Sequence, residues 1–275
     1  MNGNPLSLSL ILLLCFGLAR ATEPPPNLSV ENLVAWCVVP FDASGRGPEE
    51  RATMLAELGF RYCAYDWRSE HVVEFEEEIL AYKKHGIEMF AFWKGHPDAY
   101  ALFRKHAISP QVWHTVPSPD AKTQQGKVTA AVAKLEPLVI EAAEHGCEFG
   151  LYNHGGWGGE PRNLVAVCEA LRKKGHQHVG IVYNWHHAHA SIDSWESDLE
   201  LLIPWLLCLN LNGMNSEPDP KILVLGEGEH EATMLSTLIA SGYEGPIGIL
   251  DHQRERDTRA VLTENLAGLD QLLGN

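Results

Sequence analysis

Residues 179–187 read VGIVYNWHH: a short run without charged side chains is followed at once by amide and imidazole groups. A strand that is apolar on both faces is typical of a parallel sheet covered by helices, so we predict a buried strand over residues 179–185. Seven other stretches have the same character and alternate with amphipathic segments of helix length. They are residues 33–40, 60–67, 87–94, 111–116, 147–153, 206–212 and 246–251.

The repetition of this unit along the chain predicts the architecture. Eight strand-then-helix units in one domain favour a closed (β/α)8 barrel, a TIM barrel, which typically takes about 250 residues. An open doubly wound sheet would usually carry a glycine-rich phosphate loop after its first strand, and the segment 39–42, VPFD, is not one. We therefore predict a single α/β domain over residues 33–275. Four glycines stand where its helices should end: Gly59, Gly86, Gly146 and Gly175.

The first residues have the composition of a targeting segment and not of the barrel. Residues 6–18 are almost uninterruptedly apolar, and residues 19–21, ARA, supply the small residues at which signal peptidase cleaves. The run is too short to cross a bilayer comfortably, which takes about 20 apolar residues. We predict a signal peptide over residues 1–21, an extended segment over residues 22–32, and export to the periplasm or the medium. An uncleaved membrane anchor is the alternative.

The charge balance excludes one class of partner. The chain has 21 Lys and Arg against 36 Asp and Glu, a formal net charge of −15 at pH 7, and it has no basic stripe that could meet a polyanion. We therefore predict no nucleic-acid partner. No second long apolar run follows the first, so we expect no membrane association after cleavage. Assembly into a homo-oligomer is left open.

The cysteines do not form a recognisable framework. Their number after cleavage is odd, their spacing is irregular, and no CxxC pair is present. Free cysteine behaves as a small buried hydrophobic residue, and we predict that role here. The five cysteines concerned are Cys37, Cys63, Cys147, Cys168 and Cys208.

Polar and aromatic side chains collect where the predicted strands end. The active site of a (β/α)8 barrel lies at the carboxyl ends of its strands, so residues at these ends share one rim. Tryptophan rings stack on the apolar C–H face of a sugar, while amides and imidazoles bond its hydroxyl groups. We therefore predict a pocket for a small-molecule carbohydrate. Its predicted binding residues are Trp67, Trp93, His114, Asn153, Trp157, Asn184, Asn210, Asn212 and His252.

The second half of the chain carries a resemblance to a known family. Residues 225–228, LGEG, a helix that reaches SGYEGP at residues 241–246, and the final strand resemble the closing portion of the xylose isomerase-like TIM barrels. That family contains sugar isomerases, keto-sugar epimerases and relatives of endonuclease IV. His154 after the fifth strand and the spacing Asn184-x-x-His187 after the sixth also match its layout. The resemblance covers the whole predicted domain, but its motifs are typical of the superfamily and not of one reaction.

The resemblance also implies a position for a metal ion. In that family a glutamate on strand five, an aspartate on six, a histidine on seven and a glutamate on eight hold one divalent cation. The matching positions are Asn153, Asn184, Asn210 and Asp251, which are three amides and one carboxylate. Because Mn²⁺ and Mg²⁺ are held mainly by anionic oxygens, we predict no cofactor. The alternative is a divalent cation, Mn, Mg or Zn, on these four residues and His187.

The reaction implied by the resemblance is proton abstraction next to the carbonyl group of a keto-sugar or related carbohydrate, as in epimerisation and aldose–ketose isomerisation. Such a reaction needs a base, an acid and a group that stabilises the enediolate oxygen. We predict Asp251 as the base, His187 and His154 as acids, and Lys94 at the oxyanion. Two alternatives stay open: a non-catalytic carbohydrate-binding barrel that has lost the metal site, and a keto-sugar lyase or hydratase.

Overall fold

The computed structural model describes residues 25–274, and eight parallel strands within them close into a barrel in chain order, with β8 pairing back to β1. The predicted fold class, a single-domain (β/α)8 barrel, is confirmed. The strands are β1 (Leu33–Trp36), β2 (Tyr62–Tyr65), β3 (Glu88–Trp93), β4 (Gln111–Thr115), β5 (Phe149–Tyr152), β6 (Val179–Asn184), β7 (Leu206–Leu211) and β8 (Ile247–Leu250). The helices are α1 (Pro48–Glu57), α2 (Phe75–His85), α3 (Pro97–His106), α4 (Gln124–Glu144), α5 (Pro161–Lys173), α6 (Trp195–Leu202), α7 (Glu231–Ala240) and α8 (Thr258–Leu273).

Each strand lies inside the range predicted for it, and the differences are at the ends. The sequence predicts that β1 reaches residue 40, but the strand ends at Trp36 because Cys37 takes a φ of 59° and leaves the ladder. Lys94 and His252 follow β3 and β8 in the same left-handed conformation, with φ of 60° and 52°. Residues other than glycine rarely adopt this conformation. The apolar runs of the sequence therefore extend beyond the hydrogen-bonded sheet.

Alternate residues of the strands form two separate cores. Residues such as Leu33 and Ala35 of β1 pack with the helices in the larger core. The other set faces the barrel axis and has a member from every strand; we call it the axial cluster. It includes Trp36, Ala64, Ala91, Trp113, Tyr152, Val182, Cys208 and Leu250. This alternation decides, one residue at a time, which side chains at the strand ends can reach a site on the axis.

The glycines predicted to end helices do so. Gly86 caps α2 with a φ of 70°, and its backbone N–H bonds to the carbonyl of Lys83. Glycine adopts this conformation without the steric cost that a Cβ atom brings. The other three predicted glycines follow α1, α4 and α5 in the same left-handed region.

The described chain begins with two short 3-10 turns, Pro26–Leu28 and Val30–Asn32, where the sequence predicts an extended segment. The side-chain amide of Asn27 holds this segment to the barrel by donating to two carbonyl oxygens of the loop before β8, at 3.0 and 2.9 Å. The predicted signal peptide, residues 1–21, lies outside the described residues. Within residues 25–274, no helix is long and apolar enough to span a membrane.

The cysteines occupy the positions predicted for small apolar residues. Cys63 and Cys208 lie in strands, and Cys168 lies in α5. All five cysteines of the described residues are buried, and all five are free thiols. They therefore serve as core residues.

Candidate functional site

A cavity of about 540 Å³ opens at the carboxyl ends of the strands. This is the end of the barrel where the sequence predicts the site, and the volume lies within the range of about 300–1,000 Å³ typical of small-molecule pockets. The walls come from the ends of β1 to β6 and from the second residue after β8. The lining residues are Cys37, Asp66, Trp67, Arg68, Ser69, Trp93, Lys94, Thr115, Tyr152, His154, His187 and His252.

Strained backbone is concentrated at this cavity. Cys37, Lys94 and His252, the three residues that leave their strands with positive φ, all line it. In the described part of the chain the only other non-glycine residue with positive φ is Ala107, which caps α3. Residues in such conformations cluster at functional sites, where the surrounding structure over-determines them. The residues with strained backbone therefore lie at the same cavity as the predicted site side chains.

Aromatic rings form one wall of the cavity. Trp93 packs edge-to-face on Tyr152, with ring centroids 4.4 Å apart. Trp36 and Trp113 of the axial cluster pack on each other at 4.3 Å and contact Trp93 at 6.4 and 6.0 Å. The cavity therefore offers a rigid aromatic surface of the kind that stacks on the apolar face of a sugar.

A second wall is an ion pair at the end of β2. The Arg68 guanidinium donates to Asp66, from Nη1 to Oδ1 at 2.5 Å and from Nη2 to Oδ2 at 3.4 Å. The Cys37 thiol donates to the same carboxylate, with Sγ 3.6 Å from Oδ2. Burial, and then the charge of Asp66, raises the pKa of Cys37 well above its ordinary value, so the thiol stays protonated. Among the lining residues in the described chain, Asp66 is the single carboxylate.

Histidines form a third wall. The ring of His187 lies 4.4 Å from that of His154 and 4.3 Å from that of His186, which in turn lies 5.0 Å from His252. Burial, together with the neighbouring basic groups, lowers the pKa of His187 to about 2, of His186 to about 3 and of His252 to about 4. These three imidazoles are therefore neutral near pH 7.

Lys221 reaches the histidines from the loop between β7 and α7. Its Nζ lies 3.1 Å from Nδ1 of His187. Asn212, just after β7, donates its side-chain amide to the carbonyl oxygen of Lys221 at 3.3 Å and so helps to hold this loop. Lys221 thereby adds a cation to the rim of the cavity.

The predicted site residues fall into two groups. Those that line the cavity are Trp67, Trp93, Lys94, His154, His187 and His252. Those that lie outside the lining are Asp251, Asn153, Asn184, Asn210, Asn212, His114 and Trp157. The carbohydrate-binding and catalytic roles of the first group stay predictions, now with a shared cavity to support them.

Asp251 is buried on the helix side of the barrel wall. It follows Leu250, which belongs to the axial cluster, so its side chain points the opposite way. Its Oδ2 accepts a hydrogen bond of 2.6 Å from the Thr258 hydroxyl at the start of α8. Burial is the largest effect on this carboxyl and raises its pKa to about 7. A base must touch the substrate, and Asp251 is not among the residues that line the cavity.

His114 and Trp157 also pack away from the cavity. His114 stacks on Phe149, with ring centroids 5.3 Å apart, and the next residue, Thr115, takes the position in the lining. Trp157 donates from Nε1 to the side chain of Gln124 at 2.9 Å, against the start of α4. Both residues therefore contact the helix layer.

Asn153 and Asn212 hold the backbone together. The side chain of Asn153 donates to the carbonyl of Asn184 at 3.0 Å and accepts its N–H at 2.7 Å, which continues the pairing with β6 past the end of β5. Asn212 donates to the carbonyl of Gly213 at 2.7 Å in addition to that of Lys221. Both side chains are buried; Asn153 is bonded through both its amide nitrogen and its oxygen, whereas Asn212 is bonded through its amide nitrogen and its Oδ1 has no partner in the described residues.

The axial cluster corrects the positions assigned to the family's metal ligands on two strands. On β5 and β8 the side chains that face the axis are Tyr152 and Leu250, each one residue before the position taken from the sequence. Tyr152 and Leu250, and not Asn153 and Asp251, are therefore the axial residues of these two strands, because a shift of one residue turns a strand side chain to the other face.

The axial residues at this level do not fit a divalent cation. Asn210 donates to Oδ1 of Asn184 at 2.9 Å, and Asn184 donates to the hydroxyl of Tyr152 at 2.9 Å. Burial raises the pKa of Tyr152 well above its ordinary value, so the phenol stays protonated, and Leu250 offers no ligand atom. A phenol and two amides supply no anionic oxygen for Mn²⁺ or Mg²⁺. Within residues 25–274, no group of three or more His, Cys, Asp and Glu side chains is arranged to hold a metal ion.

Several residues of the site are not identified by sequence reasoning. Asp66 belongs to the rim at the end of the predicted strand 60–67, but the sequence gives it no role; it lies two residues after Ala64 of the axial cluster, just past the end of β2. Lys221 lies in a loop whose sequence, NSEPDPK at residues 215–221, gives no sign of a site. The full set is Cys37, Asp66, Arg68, Ser69, Thr115, Tyr152 and Lys221.

Comparisons with known proteins agree with the architecture. No family model and no curated protein matches the sequence. A 3-keto-D-glucoside 4-epimerase from E. coli is similar in structure, with a TM-score of 0.63, 14% identity, and coverage of 90% of this chain and 100% of the other. A xylose isomerase domain-containing protein from Salmonella typhimurium has a TM-score of 0.68, 11% identity, and coverage of 89% and 98%.

A third similar structure carries a metal ion. It is an IolI protein with a bound zinc atom, with a TM-score of 0.67, 11% identity, and coverage of 88% of this chain and 98% of the other. At such low identity the similarity establishes the fold. The chain therefore has the fold of the xylose isomerase-like TIM barrels.

Proposed function

We propose that the cavity binds an unphosphorylated keto-sugar or related carbohydrate and transfers a proton next to its carbonyl group, giving epimerisation or aldose–ketose isomerisation. The observation that carries the proposal is the convergence of an aromatic wall at Trp93, the Asp66 carboxylate and the neutral His187 on one cavity. A sugar epimerase among the similar structures supports the same substrate class.

The charges of the lining favour a neutral sugar over a sugar phosphate. A phosphate group is usually met by several arginines or by a glycine-rich loop at a helix start. The cavity holds one arginine, and Arg68 is already paired with Asp66. Lys94 is then the one cation among the described lining residues without an ionic partner, and Lys221 adds a second at the rim, beside His187.

In the proposed reaction the C–H bond next to the carbonyl breaks and its proton moves to Asp66. We assign the base to this residue and not to Asp251, because Asp66 is the carboxylate that a ligand in the cavity can touch. The electron pair of the C–H bond forms the C=C bond of an enediolate, and the carbonyl oxygen takes up negative charge. His187 and Lys94 lie in the same lining and can stabilise that oxygen. For epimerisation, His154 of the same lining gives a proton to the carbon, after which Asp66 releases its proton to solvent and His154 takes one up.

The test is deuterium incorporation from D2O into a panel of unphosphorylated ketoses, including D-fructose and D-tagatose, followed by NMR. The purified protein should exchange one C–H position next to the carbonyl of at least one sugar. Asp66→Asn should lower the exchange rate by about 100-fold or more, since a positioned base contributes about 10²–10⁴.

Asp251→Asn distinguishes the two assignments of the base. Exchange that survives Asp251→Asn and is lost in Asp66→Asn supports Asp66, and the reverse result returns the base to Asp251. Thermal unfolding of each variant shows whether a lost rate reflects lost structure. Absence of exchange for every sugar in the folded wild-type protein would overturn the proposed reaction.

We also propose that the reaction uses no divalent cation at the position of the family's metal site. The support is the hydrogen-bonded set of Tyr152, Asn184 and Asn210 at that position. Plasma mass spectrometry of untagged protein should find Mn, Mg and Zn well below one ion per chain. Exchange should be insensitive to a chelator, and one bound ion that restores lost exchange would contradict this.

A non-catalytic carbohydrate-binding barrel is the second candidate. The same hydrogen-bonded set favours it, because a barrel that has lost its metal site can keep the pocket and lose the reaction. This candidate predicts sugar binding without deuterium incorporation. A lyase or hydratase would incorporate deuterium and also change the mass of the sugar.

A further inference from the structure

The contact between Lys221 and His187 determines which ring nitrogen of the histidine carries the proton. An ammonium group has three hydrogen-bond donors and no acceptor. Since Nζ of Lys221 lies 3.1 Å from Nδ1 of His187, Nδ1 must accept. The neutral ring then carries its proton on Nε2. No hydrogen bond joins Nε2 to another group in the described part of the chain, while the residue lines the cavity.

The surroundings of His187 keep the ring neutral. The groups that face it are the rings of His154 and His186, the ring edge of Tyr152, and Lys221, so no carboxylate is among its described contacts. The Nδ1 atom that accepts from Lys221 carries no proton, so the ring is neutral in this arrangement. A neutral imidazole can donate a hydrogen bond without losing its proton, which suits it to stabilise a carbonyl oxygen that becomes an enediolate.

We propose that Lys221 is a positioning residue that fixes His187 as the Nε2–H tautomer, and that this N–H binds the carbonyl oxygen of the sugar where related barrels would use a divalent cation. The catalytic half of this inference rests on the proposed function. In the step itself the α C–H bond breaks, its proton goes to Asp66, the C=C bond forms, and the carbonyl electron pair moves to the oxygen held by Nε2–H. The imidazole neither gains nor loses a proton, so charge balances on Asp66 and the enediolate.

The tautomer is tested by ¹⁵N NMR of the histidine side chains of the ¹⁵N-labelled protein, with His187→Gln to assign the resonance. We expect a protonated Nε2 and an unprotonated Nδ1 in the wild-type protein. Lys221→Met should give a mixture of tautomers, and Lys221→Arg should keep the wild-type pattern because arginine is also only a donor. Lys173→Met, at an exposed lysine of α5, is the matched control and should change nothing.

The role in the reaction is tested with the same variants. Lys221→Met should lower the deuterium exchange rate in proportion to the fraction of His187 that leaves the Nε2–H tautomer, about twofold for an even mixture, which is far less than the loss of about 100-fold expected when an oxyanion donor is removed altogether. Titration with D-fructose should shift the Nε2–H resonance of the wild-type protein whether or not exchange occurs.

The outcomes separate this inference from the proposed function. An Nδ1–H tautomer in the wild-type protein, or a pattern that Lys221→Met leaves unchanged, overturns the positioning role. Two results would overturn the role of Nε2–H as the group that binds the carbonyl oxygen, even if the tautomer is as expected. In the first, saturating D-fructose does not move the Nε2–H resonance; in the second, Lys221→Met leaves the exchange rate unchanged. If the tautomer is as expected and D-fructose shifts the resonance but no exchange occurs, the result supports the binding of the sugar by Nε2–H and contradicts only the proposed reaction.

Discussion

At Asp251 a single carboxyl group links the pH to the stability of the barrel. Its Oδ2 is bonded to Thr258, and its buried Oδ1 has no partner in the described residues. The pKa of this group is about 7 in the folded protein against an ordinary value of 3.8, so the folded state holds a proton that the unfolded state releases. The proton held by Asp251 stabilises the folded state. This contribution is fully present below about pH 4 and is lost as the pH rises through about 7.

We therefore predict that Asp251→Asn becomes more stable relative to the wild-type protein as the pH rises from 4 to 7. The gain has an upper limit of about 4 kcal/mol, from the pKa difference at 1.36 kcal/mol per unit. Urea unfolding of both proteins at pH 4, 5.5 and 8 measures it. The buried histidines act in the opposite direction below pH 6.5 but are present in both proteins, so the difference isolates Asp251. A difference in stability between the two proteins that does not change with pH would contradict a raised pKa at Asp251.

At the scale of elements, α1 and α2 are joined by a buried ion pair. Nη1 of Arg51 in α1 bonds to Glu78 in α2, and neither side chain is more than 3% exposed. Arg51 Nε and Glu78 Oε1 have no further partner in residues 25–274. Removing one member of such a pair leaves a buried charge without compensation, whereas removing both can be nearly neutral.

Arg51→Met should accordingly lower the free energy of unfolding by about 3–5 kcal/mol, and the double variant Arg51→Met/Glu78→Met should recover most of this loss. Arg259→Met, which breaks an exposed pair with Glu57, is the control and should cost less than about 1 kcal/mol. Denaturant titrations of the four proteins give the comparison. A double variant no more stable than Arg51→Met would show that the two side chains do not compensate each other.

The elements also show what the sequence could and could not predict. Apolar runs bounded by polar residues are enough to locate all eight strands, because a parallel sheet covered by helices needs them. They do not show which residues of a strand face the axis and which face the helices. The sequence therefore indicates Asn153 where the structure has Tyr152, and His114 where the structure has Thr115. Contacts between distant loops, such as that of Lys221 with His187, depend on tertiary packing and leave no local pattern.

At the scale of the whole molecule, export remains our proposal. It rests on the apolar segment 6–18 and the small residues 19–21 ahead of the barrel. Expression of the full chain in a secreting host, followed by mass spectrometry of the recovered protein, should give a mature form that begins at Thr22. Replacement of both alanines, in Ala19→Leu/Ala21→Leu, should retain the precursor. A full-length protein recovered from the cytoplasm would contradict the proposal.

The aromatic wall of the cavity has an optical consequence. Trp36 and Trp113 lie close enough for their indole transitions to couple, and Trp93 contacts both while also lining the cavity. A sugar that stacks on Trp93 changes the surroundings of one chromophore in a coupled set of three. The near-ultraviolet circular dichroism and the emission of the barrel therefore report occupancy of the cavity directly, without any label.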